Sequence, residues 1–217
     1  MDPPSLAVLA GGCILTNPST YREVQKINPL KKLVSGIKKC CYTTDKNAVY
    51  HAIKHKHITC LVRFYVFKKY WSFNTSSFAA LHGSLECLIF LRTNGCPWDE
   101  FVCISAATNG HLDCLRYAHT NGCPWDERVC ISAATNGHLD CLRYAHTNGC
   151  PWDERTCVWA ATNGHLDCLR YAHTNGCPWD ERVCKYSFIN RHFKCLDYVC
   201  TQGWYLKNGL WYYLFDG

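Results

Sequence analysis

The chain has 217 residues, 48% of them hydrophobic, and carries 23 Lys and Arg against 17 Asp and Glu, a formal net charge of +6. That length suffices for one elongated domain, and no stretch approaches the ~20 consecutive apolar residues of a membrane-spanning helix. The charge is unevenly spread: residues 1–77 hold 12 basic against 3 acidic side chains, and residues 78–217 hold 11 against 14.

Residues 1–43 form a basic N-terminal segment that reads as a decayed repeat or a cap. Ser5 to Thr16 (SLAVLAGGCILT) has an apolar core but no basic leader before it, so a folded or capping segment is expected rather than a secretory peptide. The basic balance of residues 1–77 supports two readings. One is a solvated cap; the other is a surface for nucleic acid or an acidic partner. Against nucleic acid stand the lack of an aromatic RNA-binding motif and the near-identity of the repeats, since base-reading helical arrays vary their code residues.

From Thr44 the chain is periodic. Thr108 to Arg128 (TNGHLDCLRYAHTNGCPWDER) recurs unchanged at Thr135 to Arg155 and at Thr162 to Arg182, a period of 27. Extending the period outward gives six units across residues 44–205, starting at Thr44, Trp71, Trp98, Trp125, Trp152 and Trp179. A unit this short cannot bury its apolar face alone and must stack on its copies. The outer units diverge, with His55-Lys56-His57 and Asn190-Arg191-His192 in place of Asn-Gly-His, as terminal copies facing water do.

Within the unit Trp125 to Pro151, Asp126 is an N-cap candidate and Glu127 an acid in the first turn. A first helix (helix A) is therefore expected over Glu127 to Thr135, stopped at Asn136-Gly137. A second (helix B) is expected from His138 to Thr147, stopped at Asn148-Gly149 with Pro151 beyond. Leu139, Leu142 and Ala145 lie on one face of it, and Ala133-Ala134 lets helices approach closely. The fold class expected is an all-α helix-turn-helix solenoid of six full units plus a half-unit cap. A leucine-rich-repeat reading is weaker, because Arg-Tyr-Ala-His is a poor strand beside two helix stops.

The stretch Ala133-Ala134-x-Asn136-Gly137-His138-Leu139-Asp140-Cys141-Leu142 resembles the ankyrin repeat. The period is shorter than the usual ~33 residues, so the chain is similar to finger-poor ankyrin-like arrays of large DNA viruses and some lower eukaryotes. It departs from that pattern in lacking Thr-Pro-Leu-His, with Arg128-Val129-Cys130-Ile131 standing there. The resemblance implies non-catalytic protein binding, and a role for the first histidine of helix B in bonding the adjacent turn.

Cysteine counts 18, of which Cys96, Cys103, Cys114 and their copies recur three per unit, as expected of duplicated packing positions in a reduced, cytoplasmic protein. Zinc is not expected: Cys123, Cys130 and His138 lack C-x-x-C spacing. No cofactor is expected either. Histidines such as His119 and His138 are copied in every middle unit, which speaks for a structural role rather than a unique general base.

Helix B and the loop are invariant, so the informative columns lie in helix A: Phe101, Arg128, Arg155, Arg182 in one, and Ser105, Ser132, Trp159, Tyr186 in another. These are the candidate partner-binding residues, on the inner face of the array, since Trp, Tyr and Arg dominate binding hot spots. Trp98, Trp125, Trp152 and Trp179, one per unit after Pro, are expected to be inter-repeat core. Residues 206–217 are expected to cap the last unit, with the aromatic run Gly209 to Phe215 folded back as a helix. A monomer is expected.

Overall fold

The computed structural model describes residues 6–9, 12–15, 46–63, 71–207 and 210–213. It divides into two compact units, residues 1–79 with 84–98, and residues 80–83 with 99–217.

The first unit opens with β1 (Leu6–Leu9) and β2 (Gly12–Leu15), an antiparallel hairpin pairing Leu6 with Leu15. Helices α1 (Lys46–Lys54), α2 (Ile58–Arg63), most of α3 (Phe73–Leu81) and α4 (Leu85–Thr93) follow. Ala48, Ala52, Ile53, Leu61, Leu88 and Leu91 form the core of this part, all fully buried. Ser84 ties one pair to the next by donating its hydroxyl to the Ile53 carbonyl at 2.6 Å.

In the second unit the period appears directly as helices. Helix A recurs as α5 (Glu100–Thr108), α7 (Glu127–Thr135), α9 (Glu154–Thr162) and α11 (Glu181–Ile189); helix B recurs as α6 (Leu112–Thr120), α8 (Leu139–Thr147), α10 (Leu166–Thr174) and α12 (Phe193–Thr201). Each helix A starts where the sequence places it. The Asp126 carboxylate accepts the Arg128 N–H at 3.0 Å, and Asp99, Asp153 and Asp180 do the same in their units. The helices of the middle repeats stop on glycines of positive φ, +73° at Gly137 after helix A and +82° at Gly149 after helix B. Successive A helices stack closely because the columns between them are small: Ala106, Ala107, Ala133, Ala134, Ala160 and Ala161 are fully buried. Leu115, Leu142 and Leu169 fill the space between A and B, also fully buried. At ~25 cal/mol per Å² of apolar area, this repeated column is the main source of cohesion between units.

The C-terminal segment differs from expectation. In place of a helix, β3 (Trp204–Lys207) and β4 (Leu210–Tyr213) form an antiparallel hairpin, Trp204 opposite Tyr213, with β3 against α12 and β4 against α11. The signal for it was present: Asn208-Gly209 is the dipeptide of two-residue hairpins, and the flanking Trp, Tyr and Leu residues favour strands. Leu214 and Phe215, expected to cover the last unit, lie outside the described residues.

Candidate protein-interaction face

Two ladders run across the repeated units of the second unit, one on each side. Along the loop and helix B side, His119 stacks on Trp125 at 3.8 Å and bonds through Nδ1 to the hydroxyl of Tyr144 in the next repeat at 2.9 Å; Arg116 lies over the Tyr144 ring at 5.2 Å. The set recurs as His146, Trp152, Tyr171 and Arg143, and as His173, Trp179, Tyr198 and Arg170. Burial pushes the Tyr144, Tyr171 and Tyr198 phenols up and the His173 imidazole down. The tryptophans are therefore inter-repeat contacts, but half-buried ones rather than deep core. Trp98, in the first unit, is likewise half-buried, under the Arg92 guanidinium at 4.1 Å.

A second histidine column does structural work of a different kind. The rings of His111, His138, His165 and His192 sit over Gly83, Gly110, Gly137 and Gly164, where a Cβ would lie 2.5 Å from Nδ1 in each case. His138 Nε2 also lies 3.1 Å from the Thr108 carbonyl oxygen. This is the bond to the adjacent turn that the resemblance implied.

On the helix A side the arginine column is an ion ladder. Arg128 puts Nη2 on Asp126 at 2.6 Å and on Glu100 of the preceding repeat at 3.1 Å; Arg155 pairs with Asp153 and Glu127, and Arg182 with Asp180 and Glu154, in the same geometry. These arginines hold Asp126 and Asp180 below the usual carboxylate range, and their carboxylate partners push Arg128, Arg155 and Arg182 up. Sequence reasoning found the arginines and missed their acids, although the Glu-Arg pair in every middle unit placed Glu at 28 residues before the next Arg.

Of the remaining candidate residues, Phe101 heads the arginine column, and Ser105, Ser132, Trp159 and Tyr186 lie one turn along the same helices. Phe101 is exposed, beside the Arg128 guanidinium at 5.2 Å; Ser105, Ser132 and Tyr186 are half-buried. Trp159 is 43% exposed. Lys185 Nζ lies 6.0 Å from the Tyr186 ring.

The cysteines are spoken for. Among those described, all but Cys200 are buried. Cys123, Cys150 and Cys177 donate their thiols to the carbonyls of Asp99, Asp126 and Asp153 one repeat earlier, at 3.1 to 3.2 Å. Burial pushes Cys141 up to about 11 and Cys168 up to about 12. The residues weighed as zinc ligands have separate partners, Cys123 on the Asp99 carbonyl and His138 beside that of Thr108. Among the described residues no group of three His, Cys, Asp or Glu side chains could hold a metal, and no helix is long and apolar enough to cross a membrane.

The chain is similar to the ankyrin repeat domain of human ASB11, with a TM-score of 0.61 at 15% identity over 74% of this chain and 85% of that one. The array has the ankyrin-repeat fold. No family model matches the sequence, and no curated protein matches it. A stacked repeat array of this kind presents its side-chain columns at a fixed pitch.

Proposed function

We propose that this ankyrin array is a non-catalytic protein-interaction scaffold that binds its partner through the helix A face, at Phe101, Ser105, Arg128, Ser132, Arg155, Trp159, Arg182 and Tyr186. In this reading residues 44–205 are the array, residues 1–43 a basic N-terminal segment and residues 206–217 a cap, and the protein works as a monomer in the cytoplasm. The observation that carries the reading is Trp159. It occupies a column held by serine in two earlier repeats, stands 43% exposed, and replaces a side chain the fold does not need. The buried thiols, outside any disulfide among the described residues, fit a reducing compartment. Catalysis is disfavoured because the middle-unit histidines are engaged in inter-repeat bonds and stacking.

The test compares two tryptophans. Trp159→Ser restores the residue of the neighbouring repeats and is expected to keep helicity and melting within about half a kcal/mol while abolishing capture of the cellular partner. Trp152→Ala removes a stacking partner of His146 and is expected to cost about 2 kcal/mol, below the full-burial value because the ring is half-exposed. A Trp159→Ser protein that melts as poorly as Trp152→Ala, or that captures the same proteins as wild type, overturns the assignment.

A further inference from the structure

The arginine column gives the helix A face a positive look in the sequence; the structure gives it the opposite sign. Along the first turns of α5, α7, α9 and α11 run Asp99, Glu100, Asp126, Glu127, Asp153, Glu154, Asp180 and Glu181, eight carboxylates against the three guanidiniums of Arg128, Arg155 and Arg182. Every one of those guanidiniums is committed, through Nε and Nη2 to the Asp of its own repeat and through Nη2 to the Glu of the repeat before. An incoming carboxylate or phosphate finds only Nη1 of each, beside two carboxylates already in place. An incoming cation meets open acceptors instead, because Glu100, Glu127 and Glu154 use only Oε1 in these bonds, and the position 28 residues after Glu181 is Gly209 rather than an arginine. The helix N-termini offset part of this negative charge, about half an elementary charge each, and leave an excess of carboxylate. One turn further along the same face stands Trp159, an exposed ring at i+4 from Arg155.

Resting on the proposed helix A binding face, we infer that its partner is an extended basic peptide segment whose cationic side chains meet the acidic strip while an apolar side chain packs on Trp159. Repeat helices stack at about 8 to 10 Å, and an extended polyproline-II chain advances ~3.1 Å per residue with about three residues per turn, so that every third side chain points the same way. Lys or Arg at every third position therefore comes into register with Glu100, Glu127, Glu154 and Glu181 in turn. Lys185, one turn after Glu181 on α11, is an exposed cation on this face.

The experiment measures binding by fluorescence anisotropy to the full chain, with three labelled synthetic peptides: one with Lys at every third position and Leu and Ser between, one of the same composition with its lysines contiguous, and one with Glu replacing Lys. The registered basic peptide is expected to bind at least tenfold more tightly than the other two, with affinity falling as salt rises. Trp159→Ser is expected to weaken it about tenfold, and Glu154→Gln with Glu181→Gln at least threefold with a flatter salt dependence. If the Glu peptide binds more tightly and loses its affinity in Trp159→Ser, the face is right and the basic partner wrong. If the basic peptide binds equally well to Trp159→Ser, the proposed binding face itself fails. Equal binding of the two lysine peptides overturns the register argument.

Discussion

The middle repeat, Trp125 to Pro151, and the last, Trp179 to Tyr205, share a backbone and differ at the columns that carry a neighbour. In the middle repeat Ala134 is fully buried and Gly137 turns left-handed beneath the ring of His165. In the last, the equivalent positions are Phe188, 51% exposed, and Arg191, which holds a φ of +61° without being glycine. Arg191 carries its own Cβ in the conformation that Gly137 holds beneath the His165 ring. Lys56, at φ +57°, is the matching case in the first unit: Ser84, not histidine, stands 28 residues on, and Ser84 reaches the Ile53 carbonyl without crowding the turn. Glycine in this array is thus demanded by the next repeat as much as by the turn.

The widest gap between the two repeats should show in the leucine column. Leu142 is fully buried and Leu196 only half-buried, so Leu142→Ala is expected to cost about 3 to 4 kcal/mol and Leu196→Ala about 1 to 2 kcal/mol in urea unfolding. Equal losses would mean that the last repeat is as well covered as the middle one. Next come the glycines. Gly137→Ala meets both the left-handed backbone and the His165 ring and should cost about 3 kcal/mol. Gly149→Ala, with φ +82° and open space around the Cβ, should cost about 1 kcal/mol. Matching values for the two would remove the histidine from the explanation.

A smaller effect of opposite sign is expected at Thr156. It stands in the column of Val102, Val129 and Val183, is fully buried, and its hydroxyl has no hydrogen-bond partner. Thr156→Val should stabilise the array by about 1 kcal/mol; an unchanged midpoint would indicate that the hydroxyl is satisfied in solution. The smallest effect is with pH. Burial lowers the His173 pKa in the folded protein, so the folded state binds that proton less readily than the unfolded one. The stability this residue contributes is full above about pH 6.5 and declines as pH falls below it. Asp126 and Asp180, held down by their arginines, act in the same direction below about pH 4. Melting of wild type should fall slightly between pH 7.5 and 5.5, and His173→Gln should flatten that slope; an unaltered slope would place the titration elsewhere.

Much of this was legible beforehand because it is local. An Asp before Glu-Arg caps a helix, Asn-Gly ends one, and a strict 27-residue period forces copies to stack, so the helix bounds Glu127–Thr135 and Leu139–Thr147 differ from the sequence reading by at most one residue. The terminal aromatic run, expected as a helix, forms a hairpin because Asn208-Gly209 stands between two β-favouring stretches. What only the tertiary structure decided is which atoms meet across a period. Glu100 reaching Arg128, His119 reaching Tyr144 and Cys123 reaching the Asp99 carbonyl are contacts between residues 24 to 28 apart in sequence. They depend on the pitch and rotation between repeats, which no single unit encodes, because a side chain in a stacked array finds its partner on the neighbour. For the same reason the sign of the helix A face belongs to the structure: the arginines read as free cations until the stacking of one repeat on the next placed a carboxylate on both sides of each.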